Sequence, residues 1–238
     1  MIERAIIFGS SSGVGRATAT ALAQRGTKVW GVARHAREAT PGVHDIIGDA
    51  TDPAVVERVL AEADPDLVVV AVGIQPRMGT LDEHDWESFS AIWNSDVRAA
   101  FHVGQLTLRR PLRAGATVVI VSSGAGLHGS ALSGGYAGAK RMQMFLADYL
   151  QQLSAKRNLG IRYVSVVPRQ FIAGTVIADT SASAYAAAAG ITVAKFMERF
   201  EVPLEPSGVA SAILGIADGN APDGAILGLT GARGLEKL

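Results

Sequence analysis

The chain has 238 residues, 48% hydrophobic and 18% charged, enough to bury roughly 70% of its open-chain surface in one core and too apolar for intrinsic disorder. Lys plus Arg number 22 and are balanced by 22 Asp plus Glu, so no overall basic field attracts nucleic acid or an anionic membrane. Cysteine is absent, which removes disulfides, thiolate nucleophiles and cysteine–zinc sites.

Met1-Ile2-Glu3-Arg4 runs directly into Ala5-Ile6-Ile7-Phe8. This is too short and too acidic for a signal peptide and predicts a first strand over Arg4–Phe8. Val14, Ala17, Ala21 and Leu22 then recur at helical spacing, with Gly26 as a stop. Further strands are expected at Lys28–Ala33, Val43–Ile47, Asp66–Val72, Ala116–Ser122, Ile161–Val167 and Gly224–Leu229. Runs such as Leu67-Val68-Val69-Val70 are apolar throughout, the pattern of strands buried on both faces in a parallel sheet. Asp52-Pro53 opens another helix. From Tyr136 to Leu153, helical spacing puts Met142, Phe145, Leu146, Tyr149, Leu150 and Leu153 on one face. Seven strands separated by helices predict an α/β fold, a doubly wound, mostly parallel sheet in a single domain over residues 1–238. Ala178–Gly190 is rich in Ala, Ser and Thr and follows the sixth strand, where an open α/β sheet carries a binding loop. An alanine-rich helix fits those residue types equally well. The longest apolar run, Leu67 to Ile74, is far short of a membrane span, and a cytoplasmic protein is expected.

Gly9-Ser10-Ser11-Ser12-Gly13-Val14-Gly15 lies between the first strand and the first helix. Glycines at this junction let the chain turn sharply and bring backbone N–H groups and a helix N-terminus to a pyrophosphate. No Lys-Ser or Lys-Thr follows the last glycine, which excludes a P-loop. The second strand ends Val32-Ala33-Arg34. The carboxylate that usually holds the ribose hydroxyls of NAD is replaced by Ala33, and Arg34 is suited to a 2′-phosphate. NADP(H) is therefore favoured over NAD(H); an ordinary solvated arginine is the alternative.

Tyr136 and Lys140 stand four residues apart, on the same side of a helix. A nearby ammonium favours the phenolate, the form a tyrosine needs for acid–base work near neutral pH. Ser122-Ser123 ends the fifth strand, and Ser123 precedes Tyr136 by 13 residues. On the glycine turn, this serine and the Tyr-x-x-x-Lys spacing, the chain resembles the single-domain branch of the short-chain dehydrogenase/reductase family, over nearly its whole length.

The resemblance implies an oxidoreductase acting on a carbonyl or alcohol by hydride transfer. Tyr136 would be its general acid or base, Ser123 would bond the substrate oxygen, and Lys140 would lower the Tyr136 pKa and hold the nicotinamide ribose. It implies cofactor contacts from Gly9, Ser11, Ser12, Gly13, Val14, Gly15, Arg34, Asp49, Ala50, Val72, Gly73, Tyr136, Lys140, Pro168 and Thr175. It also implies a substrate loop around residues 175–204, a small-molecule substrate, and a homodimer or homotetramer built through the Tyr136 helix, where Gly138, Ala139 and Ala147 suit close packing; no metal is expected, because His35, His44, His84, His102 and His128 are isolated and cysteine is absent.

Three positions depart from the family pattern. Val70-Ala71-Val72-Gly73 replaces the usual Asn-Asn-Ala-Gly. Aligning Val97 and Phe101 with the next long helix puts Asp96 where the family has a catalytic Asn; a shift of two residues would put Asn94 there with a poorer apolar fit. An Asp beside Lys140 stabilises the lysine's charge and partly cancels its field at Tyr136; alternatively it points to solvent. Arg169 replaces a glycine after Pro168, facing a pyrophosphate, an acidic substrate or solvent. These departures motivate a second reading, a cofactor-binding regulatory protein with little turnover. Tyr185, Phe196, Met197 and Phe200 build either a substrate pocket or core.

Overall fold

The computed structural model describes residues 2–36, 38–200, 202–222 and 224–238. Eight strands form one sheet: β1 (Arg4–Phe8), β2 (Lys28–Ala33), β3 (Val43–Ile47), β4 (Leu67–Val70), β5 (Thr117–Val121), β6 (Arg162–Pro168), β7 (Ile226–Thr230) and β8 (Gly234–Lys237). Their order is β3-β2-β1-β4-β5-β6-β7-β8. The first seven pair in parallel, and β8 returns antiparallel on β7, with Thr230 opposite Gly234. The sequence predicts seven strands. The eighth has four residues, too few to show a period, and its strand state comes from pairing with β7. β4 is also shorter than expected. The Asp66 carboxylate accepts from the main-chain N of Glu3 and Arg4 below it, and the chain leaves the sheet after Ala71 N bonds Phe8 O.

Successive residues on each strand feed opposite cores. Ile6, Phe8, Val68, Val70, Val118 and Ile120 face one side with α2 (Pro53–Ala63), α4 (Arg98–Arg109) and α6 (Tyr136–Lys156). Ala5, Ile7, Leu67, Val69, Val119 and Val121 face the other with α1 (Gly13–Gln24) and α9 (Pro206–Ala217). α3 (Trp86–Ile92) leads into α4 through a wide π turn, Trp93–Val97. Two short helices, α5 (Ala125–His128) and α8 (Val193–Met197), and the longer α7 (Val176–Ala188) lie after β5 and β6. The Ala-rich segment after β6 is thus a helix, its first turn capped by Thr175, whose hydroxyl accepts from Ala178 N at 3.3 Å.

The apolar face assigned to α6 is corrected. Its buried side chains include Ala139, Met144, Ala147 and Leu150, whereas Phe145 and Tyr149 are 42% and 52% exposed and stack on each other outside. Ala139 and Ala147 pack inside this chain's own core, so they do not offer a surface for another copy.

Candidate active site

The strand order reverses between β1 and β4, and an open α/β sheet forms its crevice at that point, beyond the strands' C-terminal ends. A cleft of about 1200 Å³ opens there. Gly9 and Ser10 donate their N–H groups to Val32 O at the end of β2, which turns the chain sharply out of β1. Gly9 has φ +86°, and a Cβ there would lie 2.6 Å from Ala71 O; one at Gly15 would lie 2.1 Å from Gly9 O. Only glycine lets the turn close this tightly. Ser12 is the N-cap of α1 but makes no side-chain capping bond, so the first turn's N–H groups stay open for an anion.

At one end of the cleft Arg34 is exposed beside Ala33 and Asp49. Burial tends to raise the Asp49 pKa, but hydrogen bonds from Thr51 and the nearby Arg34 and Arg98 hold it below the usual carboxylate value. Helix N–H groups, serine hydroxyls and a guanidinium form a donor set that suits a dinucleotide phosphate chain.

The other wall carries Ser123, Tyr136 and Lys140. β5 delivers Ser122 and Ser123, which part in role. Ser122 is buried and donates to Lys140 O at 2.6 Å, pinning α6. Ser123 is half-buried and lines the cleft with Tyr136 and Lys140. Tyr136 is 9% exposed, and Lys140 Nζ lies 5.4 Å from its ring centroid. The Lys140 ammonium is buried and held by Asp96 Oδ2 at 2.8 Å. Desolvation pushes the Lys140 pKa down; the Asp96 charge, the Tyr136 oxygen and the Asp96 hydrogen bond outweigh it, and the net direction is upward.

Asp96 is fully buried, which rejects the solvent-facing reading, and Asn94, two residues before it, is exposed. The alignment that puts Asp96 next to the lysine is the one the geometry supports. Asp96 Oδ1 accepts from Ile74 N at 3.2 Å, and its main-chain O accepts from Gln143 Nε2 at 3.1 Å. The π turn also sends Trp93 Nε1 to Gly135 O at 3.3 Å, so it holds α6 at its N-cap as well as at Lys140 and Gln143. Sequence periodicity gives no sign of this turn, which widens the helix to aim Asp96 inward.

Gly9, Ser11, Ser12, Gly13, Val14, Arg34, Asp49, Ala50, Val72, Gly73, Ser123, Tyr136, Lys140, Pro168 and Thr175 all line the cleft. Gly15 and Asp96 stand behind it, one closing the glycine turn and the other holding Lys140. Arg169 lines the cleft too, but its guanidinium is ion-paired with Glu236 on β8, so it is neither a free anion site nor an unpaired surface group. Tyr185, Phe196 and Phe200 face the cleft, as does Arg199, which no motif marked; its only cue in the sequence is its place between two aromatic residues of the substrate segment.

A crevice at the switch point with a dinucleotide cradle on one wall and a tyrosine–lysine pair on the other defines a nucleotide-dependent oxidoreductase of the doubly wound class. The short chain dehydrogenase profile matches residues 3–186. The 3-oxoacyl-(acyl-carrier-protein) reductase FabG of Escherichia coli is 26% identical over 175 residues, 68% of this chain and 71% of that protein. L-xylulose reductase of Mesocricetus auratus is 32% identical over 130 residues, 50% and 52% of the two chains. A short-chain dehydrogenase family protein from Francisella tularensis superposes with TM-score 0.83 at 18% identity, covering 98% of each chain. Actinorhodin polyketide ketoreductase with NADPH gives TM-score 0.79 at 21% identity, covering 96% and 95%. The chain belongs to the short-chain dehydrogenase family and is an NAD(P)-dependent oxidoreductase. Among the described residues no helix is long and apolar enough to cross a membrane.

Proposed function

We propose that this enzyme is an NADP(H)-dependent carbonyl reductase, or the reverse alcohol dehydrogenase, with Tyr136 as its general acid and base. The observation that carries this reading is the convergence of Ser123, Tyr136 and the buried Lys140 on one wall of the cleft, across from the glycine turn. A nicotinamide dinucleotide bound there supplies the hydride. Ser123 donates a hydrogen bond to the substrate oxygen, which orients the carbonyl and stabilises charge developing on it. Tyr136 gives its phenolic proton to that oxygen during reduction and takes it back during oxidation. Lys140, held in place by Asp96, sits beside the ring, 5.4 Å from its centroid. The substrate is a small molecule entering between the loop after β5 and the 175–204 segment. The test is NADPH oxidation across a panel of ketones and aldehydes; no turnover with any of them overturns the reading.

The cofactor preference rests on Arg34, exposed at the cleft mouth, and on Ala33, which offers no charge against a 2′-phosphate. NADPH is expected to bind about tenfold more tightly than NADH, the size of one solvated charge-assisted contact. Calorimetric titration of both cofactors decides it, and equal affinities defeat the assignment. Ala33→Asp combined with Arg34→Ala is expected to reverse the order.

The enzyme also assembles as a homodimer or homotetramer in this reading. Phe101 on α4 and the Phe145–Tyr149 stack on α6 leave apolar area on the outside of neighbouring helices. Light scattering is expected to give two or four times the chain mass, and Phe145→Glu with Tyr149→Glu to reduce it. A parent that scatters as a single chain is the contrary result.

A further inference from the structure

Four Lys or Arg side chains line the cleft among the described residues: Arg34, Lys140, Arg169 and Arg199. Asp96 neutralises Lys140 and Glu236 neutralises Arg169. Arg34 stands after β2, beside Asp49, the one carboxylate residue lining the cleft among the described residues. Arg199 follows α8, with the aromatic residues of the substrate segment, and pairs with no acidic side chain of the described residues. Among the described residues, the substrate end of the cleft thus carries one guanidinium with no acidic partner and no lining carboxylate.

That guanidinium is held in place. Its Cζ lies 3.6 Å over the centroid of the Phe196 ring, and its Nε donates to Phe196 O at 2.9 Å. Stacking and this bond fix the plane of the fork, while the two Nη groups keep their N–H donors for another partner. Phe196 is itself 4% exposed and stacks on Tyr185 at 6.2 Å. The Tyr185 hydroxyl is hydrogen-bonded to Ser130 Oγ at 2.6 Å and accepts from Leu132 N at 3.2 Å. Ser130 and Leu132 lie in the loop between Ser123 and Tyr136, so Arg199 is tied through two aromatic rings to the segment that carries the proposed chemistry. Phe171 packs against Phe196 at 5.7 Å and completes an apolar wall below the charge.

We propose that Arg199 docks a carboxylate on the substrate, so that the carbonyl compound reduced is an oxo-acid whose apolar ring or chain rests on Phe171. This assignment rests on the reductase reading above. A planar fork with two free Nη groups matches a carboxylate by two parallel bonds, which a neutral hydroxyl or amide does not offer. The contact lies away from the reacting carbon and is made equally in ground and transition states, so its loss raises KM more than it lowers kcat.

The test separates the dock from the chemistry. Cyclohexanecarboxylate, its carboxamide and cyclohexyl phosphate are titrated by calorimetry into the protein saturated with NADP⁺. The carboxylate is expected to bind about 10- to 100-fold more tightly than the amide, the range of a charge-assisted contact. Arg199→Ala is expected to bring that ratio to about one, and Arg199→Lys to keep part of it. Equal binding of acid and amide, a ratio that survives Arg199→Ala, or phosphate binding tenfold above carboxylate each overturn the assignment. Reduction of 4-oxocyclohexanecarboxylate and its methyl ester is then followed by NADPH oxidation, with the acid expected to show the lower KM. An acid preference in binding with no turnover of any carbonyl compound leaves the dock standing and removes the reductase reading. Turnover of acid and ester with equal KM removes the dock and leaves the reductase.

Discussion

Tyr136→Phe is expected to bind NADPH nearly as tightly as the parent and to lose about 10²–10⁴-fold in turnover, the usual contribution of a placed general acid. The two effects separate because ring and hydroxyl do different work. The ring packs with Ile92 and Ala139 in a small cluster below the cleft, and phenylalanine fills that space with the same shape. The hydroxyl is the group that, in the proposed mechanism, delivers a proton to a substrate oxygen. A variant that keeps both the parent's unfolding midpoint and its NADPH affinity while losing turnover isolates the chemical step. Turnover within threefold of the parent would place the acid on another residue.

Asp96→Ala is expected to cost about 3–5 kcal/mol of stability, the range for removing one partner of a buried ion pair. Both side chains are sequestered, Asp96 at 0% and Lys140 at 5% exposure, so water does not compensate the orphaned ammonium. Asp96→Asn is expected to fall between parent and Ala, since its single amide oxygen can keep one of the two bonds that the two carboxylate oxygens accept, from Ile74 N or from Lys140. The sign with pH follows from the lysine. In the parent the folded pKa of Lys140 is raised above its ordinary value of 10.5, so the pair's contribution is complete below that value and fades as pH climbs through the folded one. Without Asp96, burial depresses the lysine's pKa, and the folded variant gains stability as it sheds that proton with rising pH. The deficit seen in urea midpoints is therefore expected to be largest at neutral pH and to shrink toward pH 10.5. A deficit below about 1 kcal/mol, or one independent of pH, would mean that the pair does not hold the fold as its burial implies.

Local pattern carried much of this molecule. β1, β2 and β3 have the bounds that their apolar runs and flanking turn residues predict, and Asp52-Pro53 caps α2 through an Asp52 bond to Ala54 N at 2.9 Å. The glycine turn, Ser123, Tyr136 and Lys140 converge as their spacing implies, because strand ends and one helix turn fix them in space. What escaped the sequence depends on distant partners. Glu236 neutralises Arg169 from 67 residues away, and nothing local to Arg169 announces it. β8 exists as a strand because β7 lies beside it. Phe145 and Tyr149 share the helical spacing of core residues, and only the packed helix decides that they turn outward. Asp96 was placed by alignment, but the π turn that drives it against Lys140 is tertiary in origin.

The outermost strands also bear on how copies of this protein can grow into larger objects. An open sheet has two free margins, and an unprotected margin invites another chain to add itself without limit. Here one margin is β3, five residues long and bearing His44 and Asp45; the other is β8, four residues long and bearing Glu236 and Lys237. A strand joining either side gains few backbone bonds and must crowd against charge. Fibrous, end-on growth is thereby discouraged at both margins.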